Sequence, residues 1–328
     1  MTDRKKHLRA LLCLLVVGFL LTCTPAVNLL TNKTAASVIL FLETGHVLRV
    51  PPVVRQPETV PITQPTIAPV DPTVPQTAPL PEQLPVFSQS DAALVEVNSY
   101  CGYEADVQAW LCQPLDWNLQ QHEPTVLILH THGTESYANA KDTNYRTRDK
   151  ASNVVSVGDL LAQRLNTAGI GVIHDRTMHD DPSYSDSYEN SRSAVMKYLE
   201  QYPSIRLVLD MHRDSVTDND GNEKKYVLQT PAGMAAKMMF VVGTDAGGLT
   251  HSKWSENMSL AVKLQALLEK RQSGICRPIS FRSQRFNQDL STGALLLEMG
   301  AAGNSRQEAL LATEFLADAI IELAKGTG

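Results

Sequence analysis

The chain has 328 residues, with 29 Lys and Arg against 35 Asp and Glu, a net charge of −6 at pH 7. That length suits one large domain or two ordinary ones, and an acidic balance without a compensating basic face argues against a nucleic-acid partner. None of the five cysteines forms a Cys-x-x-Cys pair, which argues against a thiolate zinc site.

Residues 1–9 carry Arg4, Lys5, Lys6 and Arg9 against the single acid Asp3, and residues 10–30 carry no charge. A bilayer core needs ~20 mostly apolar residues, so 10–30 is expected to be a transmembrane signal anchor. The basic flank places residues 1–9 in the cytoplasm and the rest outside, a single-pass protein of the cell membrane. A signal peptide cleaved at Ala26 is the competing expectation, and both imply export. Residues 31–90 read as an extracytoplasmic linker, because eleven of the eighteen prolines fall between Pro51 and Pro85. In polyproline II geometry those 35 residues reach at most about 110 Å. Cys101 and Cys112 follow, a candidate disulfide in an oxidising compartment.

From residue 91 to 328, strand and helix patterns alternate. Val126–Leu129 is an apolar run suited to a buried strand. Val154, Val157, Leu161 and Leu165 recur at helical spacing, and Gly169 closes that helix. Gly171–Ile173 predicts a strand, and Ser191–Leu199 a helix stopped before Pro203. Leu207–Leu209, Met239–Val242 and Leu295–Leu297 predict buried strands, with a helix over Met258–Arg271. A final helix is expected from Asn304, with Gln307 completing a capping box. Such alternation predicts an α/β fold, a mostly parallel twisted sheet with helices on both faces.

Three of these strands end in residues that carry chemistry. Leu129 runs into His130-Thr131-His132 and then Glu135. Leu209 runs into Asp210-Met211-His212-Arg213-Asp214, and Leu297 into Glu298. In α/β domains the C-terminal ends of strands are where reacting groups sit. Two imidazoles and a carboxylate fit a catalytic zinc site, which keeps one position for water. His132, Glu135 and His212 are the candidate metal ligands, with Asp149 as the alternative carboxylate. Glu298 is the candidate catalytic acid and base. His130 is expected to point away from His132, by the strand pleat. Asp210 and Asp214 are expected to orient the His212 ring, and Arg213 to lie near ligands or substrate. His174 and His179, in an acidic loop, are expected on a solvated surface. His251 lies in a Gly-rich loop with no motif behind it, and residues 243–248 lack the Gly-Lys-Ser/Thr of a phosphate loop.

These phrases stand in a longer ordered set. His-Thr-His-x-Thr-Glu-Ser-Tyr at 130–137 is followed by Asn-Val-Val-x-Val-Gly at 153–158 and Asp-x-His-Arg-Asp-Ser at 210–215. Phe-Val-Val-Gly at 240–243, Asn-Gln-Asp-Leu-Ser at 287–291 and Leu-Leu-Glu-x-Gly at 296–300 complete it. In this order they resemble the stage II sporulation protein P family, over roughly residues 120–325. The resemblance implies the fold of zinc-dependent N-acetylmuramoyl-L-alanine amidases (the amidase_3 type). It also implies cleavage of the amide between muramic lactyl group and stem peptide, with endopeptidase action on cross-links beside it. Septal wall thinning during engulfment, with sporulation proteins D and M as partners, is implied as well. His132 and His212 match the two histidine ligands and Glu298 the catalytic glutamate. One departure is visible. In the broader amidase group the glutamate ligand opens the helix that here begins near 150–153, where Asp149 is the only nearby acid. A catalytically silent peptidoglycan-binding scaffold is the rival expectation.

Overall fold

The computed structural model describes residues 87–115, 118–119, 123–138 and 144–325. The expected anchor at 10–30 and the Pro-rich stretch at 51–85 lie outside the described residues. Among the described residues, no helix is long and apolar enough to cross a membrane.

The first strand of the sheet's centre shows how the fold is specified. In β2 (Val126–Leu129) all four side chains are at most 2% exposed. Each such burial is worth ~1.5–3 kcal/mol, so this strand is stable only with both of its faces covered. Val126 and Ile128 enter the core cluster that also holds Val154, Val157, Leu161 and Leu165 of helix α3 (Val154–Thr167). Leu127 and Leu129 join Val195 of helix α4 (Ser187–Gln201) in a second cluster on the opposite face. Helices therefore cover both faces, as expected.

The remaining strands of the seven-stranded sheet are β1 (Val97–Ser99), β3 (Val172–His174), β4 (Leu207–Asp214), β7 (Met238–Gly243), β8 (Ile279–Arg282) and β9 (Ala294–Ala301). Their order is β1-β8-β7-β9-β4-β2-β3. Only β7 and β9 pair antiparallel; the other five pairings are parallel. Two parallel blocks thus meet at β7–β9. The chemistry-bearing strand ends all belong to the block β9-β4-β2-β3, so their C-termini emerge on one side. A hairpin of β5 (Val227–Thr230) and β6 (Gly233–Ala236) forms a separate two-stranded sheet.

Helix α5 (Trp254–Arg271) is buried from Asn257 to Leu268, more completely than an amphipathic stripe would be. Lys263 shows how its polar residues tolerate this. Its Nζ donates to the carbonyls of Trp110 and Gln113, each at 2.7 Å, and to Ser259 Oγ at 2.8 Å. Trp110 belongs to helix α2 (Val107–Cys112), so the lysine serves that helix's C-terminal carbonyls. The short helix α1 (Gln89–Ala92) extends the folded part into the stretch assigned to linker. Asp91, only 4% exposed, bonds Ser88 N at 2.6 Å and pairs with Lys270 Nζ at 2.7 Å.

The last helix, α6, spans Arg306–Lys325. Its capping box is not Asn304 with Gln307 but Ser305 with Glu308: Glu308 N donates to Ser305 Oγ at 3.2 Å, and Ser305 N to Glu308 Oε2 at 3.0 Å. Asn304 is instead consumed by tertiary bonds, to Tyr226 N and O and Ala301 N. Cys101 and Cys112 are free thiols, not a disulfide.

Candidate active site

Strand periodicity of two selects the face on which the site is built. Asp210 and His212 of β4 follow Val208 toward α4, whereas Leu209 and Met211 point to α3. In β9 the same phase puts Glu298 beside His212, with which it is in register. The register shifts between His212 and Asp214, a bulge at Arg213. Asp214 therefore leaves the phase of Asp210 and His212. It pairs with Arg277 at 2.7 Å and has no part in orienting the His212 ring, contrary to expectation. Asp210 does touch that ring, its Oδ1 lying 2.9 Å from His212 Nε2, off the line of a hydrogen bond.

Asp210 is itself locked. Its Oδ1 accepts from Thr131 N at 2.7 Å and its Oδ2 from Thr131 Oγ at 2.6 Å. Thr131 Oγ also contacts Ser191 Oγ at 2.8 Å, and Asn287 Nδ2 donates to Ser191 Oγ at 3.2 Å. A cavity of about 20 Å³, bordered by Thr131, Ser191, Asp210 and Asn287, has room for about one water.

Glu135 arrives from the loop after β2. Its carbonyl accepts from Val154 N at 2.9 Å, which docks the loop on the start of α3. Its carboxylate faces His212 Nδ1 at 3.4 Å, accepts from Arg213 N at 3.1 Å and lies 3.5 Å from the Arg213 guanidinium. Burial alone would raise the carboxyl. Its contacts with His212 and Arg213 outweigh that and hold it down at about 2. His212 balances the same terms in reverse: burial works against its charge, but Asp210 and Glu135 raise it well above the ordinary imidazole range. Asp149, the alternative carboxylate, is exposed and accepts from Ala151 N and Ser152 Oγ in its own turn.

His132 lies 5.3 Å from His212, centroid to centroid, with the rings nearly perpendicular. Burial, then the neighbouring His212, push it down to about 4. Tyr184 stacks on it at 4.3 Å, and Tyr188 meets it edge-on at 5.6 Å. Neither tyrosine was among the residues singled out from sequence. Both sit where α4 begins, and no spacing rule marks a tyrosine that meets its partner only through tertiary folding. Phe286 extends this wall, 6.2 Å from Tyr188. It gets there through a turn with left-handed φ at two non-glycine residues, 51° at Phe286 and 59° at Asn287. Such backbone costs ~1–2 kcal/mol per residue and is held here by Asn287 bonds to Tyr188 O and Ser191.

Two buried polar atoms in this cluster have no partner, His132 Nδ1 and Glu298 Oε2, and His212 Nε2 has only the off-line carboxylate of Asp210. Leaving such groups unpaired costs ~1–3 kcal/mol each, so their concentration in one place marks a site built for something else to bind. Glu298 is pushed up to about 8, chiefly by burial. Two imidazole nitrogens and a carboxylate are the donor chemistry of a zinc site. Among the described residues, no His, Cys, Asp or Glu group of three stands grouped for metal as the side chains lie. His212 is drawn between Asp210 and Glu135, two carboxylates that favour its protonated form.

His130 faces away from this cluster, toward α3, fully buried and pushed down to about 3 by burial and then by His174. His174 and His179 are also buried, 8% and 6% exposed, where a solvated surface was expected. An aspartate faces each ring, one from α3 and one from the loop itself. Asp159 lies 3.1 Å from His174 Nδ1, and Asp175 lies 3.1 Å from His179 Nε2. His251 is buried with neither ring nitrogen bonded, among Asp289, Asp245, Arg285 and Lys253 rather than in the site.

A family model described as stage II sporulation protein P matches residues 76–321. The chain belongs to that family. It is similar to stage II sporulation protein P of Bacillus subtilis (strain 168), at 32% identity over 214 residues, 60% of this chain and 50% of that protein. The chain thus spans about half the length of the curated relative it matches. Among solved structures it is similar to the N-acetylmuramoyl-L-alanine amidase AmiC2 of Nostoc punctiforme, at 13% identity and TM-score 0.37 over 60% of this chain and 94% of that one. It is also similar to the amidase of that name from Clostridium difficile 630, at 13% identity and TM-score 0.35 over 63% and 100% of the two chains.

Proposed function

We propose that this chain is a membrane-anchored, zinc-dependent peptidoglycan hydrolase of sporulating cells. It cleaves the amide between the muramic lactyl group and the stem peptide. The observation that carries this is the pair of buried, unpartnered atoms on His132 and Glu298, gathered around the His212 ring and the Glu135 carboxylate. Membership of the stage II sporulation protein P family supports a peptidoglycan substrate and a sporulation setting, and in this reading the chain thins the septal wall beside sporulation proteins D and M.

His132, Glu135 and His212 would hold the zinc. When bound, zinc supplies Lewis acidity that polarises the scissile carbonyl and makes water acidic near neutral pH. Asp210, fixed by two bonds from Thr131, steadies His212. Arg213 donates its backbone N–H to Glu135 and places its guanidinium beside that carboxylate. Glu298 takes the proton of the attacking water at its carboxylate and hands it to the departing nitrogen. Tyr184, Tyr188 and Phe286 wall the site and exclude bulk water from it. Cross-links between stem peptides are amides too, and the same residues serve for their cleavage.

Mass spectrometry of purified murein digested by the full chain tests this. Lactyl-ended glycans with free L-alanine amino termini are expected, in a reaction stopped by chelator and restored by zinc. Products with new amino termini only at cross-links would make the chain an endopeptidase. Undigested murein with tight sedimentation of the chain onto it would make it a binding scaffold. The expected anchor is tested by cell fractionation with N-terminal sequencing, since a soluble form starting near Ala26 or Val27 contradicts it.

A further inference from the structure

Resting on the reading of His212 as a zinc-facing residue, we propose that His130 and His174 form a positioning pair. They fix the end of β4, and with it the His212 ring, from the opposite face of the sheet. The need for such a device is visible in the strand pairing. β2 pairs with β4 only as far as Leu129 with Asp210, so beyond that point the β2 side of β4 lacks a ladder partner. On its β9 side, β4 shifts register between His212 and Asp214. The peptide joining Met211 to His212 thus lies where regular pairing has run out on one side and just before it is disturbed on the other.

His130 supplies the missing bond. Its Nδ1 lies 2.9 Å from Met211 O, and a carbonyl only accepts, so the hydrogen is on Nδ1. In the neutral ring Nε2 is then the acceptor. Its neighbour, 2.9 Å away, is His174 Nε2, which donates. His174 Nδ1 faces Asp159 Oδ1 at 3.1 Å, and Arg176 holds the other Asp159 oxygen at 3.0 Å. A continuous line of contacts therefore joins α3 through β3 and β2 to the carbonyl of β4. Both nitrogens of His130 are spent in it, which leaves none for a metal. Orienting the Met211–His212 peptide sets the direction of the His212 Cα–Cβ bond, because that peptide's nitrogen is His212's own.

The pair rests on Gly158. A Cβ at that position would lie 2.6 Å from His174 Nε2 and 2.7 Å from His130 Nε2, closer than real Cβ atoms approach anything. The glycine of the Asn-Val-Val-x-Val-Gly phrase is explained by these two rings, and any side chain there dislodges them.

Three substitutions and one spectrum test the proposal on the full chain. His130→Ala deletes the bond to Met211, and Gly158→Ala displaces both rings. His130→Asn keeps a donor at the δ position. Zinc affinity, measured by competition with a chromophoric chelator, is expected to fall by ~10–100-fold in His130→Ala and Gly158→Ala. It should stay near the parental value in His130→Asn. In ¹⁵N-histidine NMR of the zinc-free chain, His130 is expected to carry its hydrogen on Nδ1 and to keep that signature when zinc is added. Parental zinc affinity in His130→Ala, with only a lower melting temperature, would reduce the pair to a structural role and overturn the proposal. Equal loss of zinc in His130→Asn and His130→Ala, or a zinc-dependent shift of the His130 ring nitrogens, would make His130 a ligand and overturn it as well. A parental chain that binds no zinc refutes the underlying assignment of His212 instead, and the tautomer signature then tests the hydrogen-bond chain by itself.

Discussion

Replacing Glu298 by Gln separates chemistry from architecture more cleanly than any other change at this site. The amide has nearly the volume of the carboxyl, and Glu298 is in register with His212 on the neighbouring strand. Its Oε2 is buried without a partner, so an amide in the same place inherits that penalty and adds none. Stability of the fold should therefore change by less than ~1 kcal/mol. The proton transfer assigned to Glu298 has no substitute nearby, since Glu135 is committed to His212 and Arg213. Loss of a general acid and base lowers the rate by ~10²–10⁴-fold, or ~3–5 kcal/mol of barrier. The assay is murein solubilisation by the zinc-loaded Glu298→Gln chain, beside its melting temperature and zinc content. Parental hydrolysis with parental zinc would refute the role given to Glu298. Loss of zinc would show that Glu298 is a ligand, and that its role and that of Glu135 were exchanged.

Metal analysis of His132→Ala, His212→Ala and Glu135→Ala should show zinc lost from each, whereas Asp149→Ala keeps it; the reverse outcome for the two acids makes Asp149 the ligand. Asp175 yields a pH dependence. Burial would raise its carboxyl, but the His179 contact prevails and holds it at about 2, below its ordinary 3.8. A depressed carboxyl contributes stability that is present above the ordinary value and disappears as pH falls through about 2, worth ~2 kcal/mol here. Asp175→Asn should thus melt lower than the parent at pH 6 and converge with it near pH 2, and a gap independent of pH counts against the linkage. Asp91→Ala removes a buried carboxylate from Ser88 and Lys270 and should cost ~1–3 kcal/mol of stability. An unchanged melting temperature would mean that the segment around α1 is not part of the cooperative fold.

How much of this was legible depends on what kind of signal each feature leaves. Buried strands announce themselves: Val126–Leu129 and Leu295–Leu297 are apolar without interruption because both faces are covered. β1 and β8 do not, since Val-Asn-Ser and Ile-Ser-Phe-Arg are short and mix polar with apolar positions. Asp214 was expected at His212 because it flanks it in sequence, and the bulge at Arg213, invisible in the sequence, removed it. The acidic loop at 174–181 looked solvated because composition counts charges without their partners. Each histidine there has its own aspartate: His179 and Asp175 go inside together, and His174 is buried against the half-exposed Asp159 of α3.

The two histidines of His130-Thr131-His132 carry the sharper lesson. In sequence the strand pleat already sets them apart, directing His130 away from the candidate ligand His132. What distinguishes them is the face each one meets. His130 is directed to α3, where Met211 O and His174 satisfy both its nitrogens. His132 turns to α4, where tyrosine rings surround it and Nδ1 finds no partner. Thr131, between them, bonds Asp210 with both its N–H and its hydroxyl, so the short segment is tied to β4 from both faces. A ring whose nitrogens are both spent cannot accept a new bond without breaking an old one, whereas a buried nitrogen without a partner gains by binding. That difference in hydrogen-bond accounting agrees with the pleat and underlies the proposal of a positioning role for one histidine and a metal-facing role for the other.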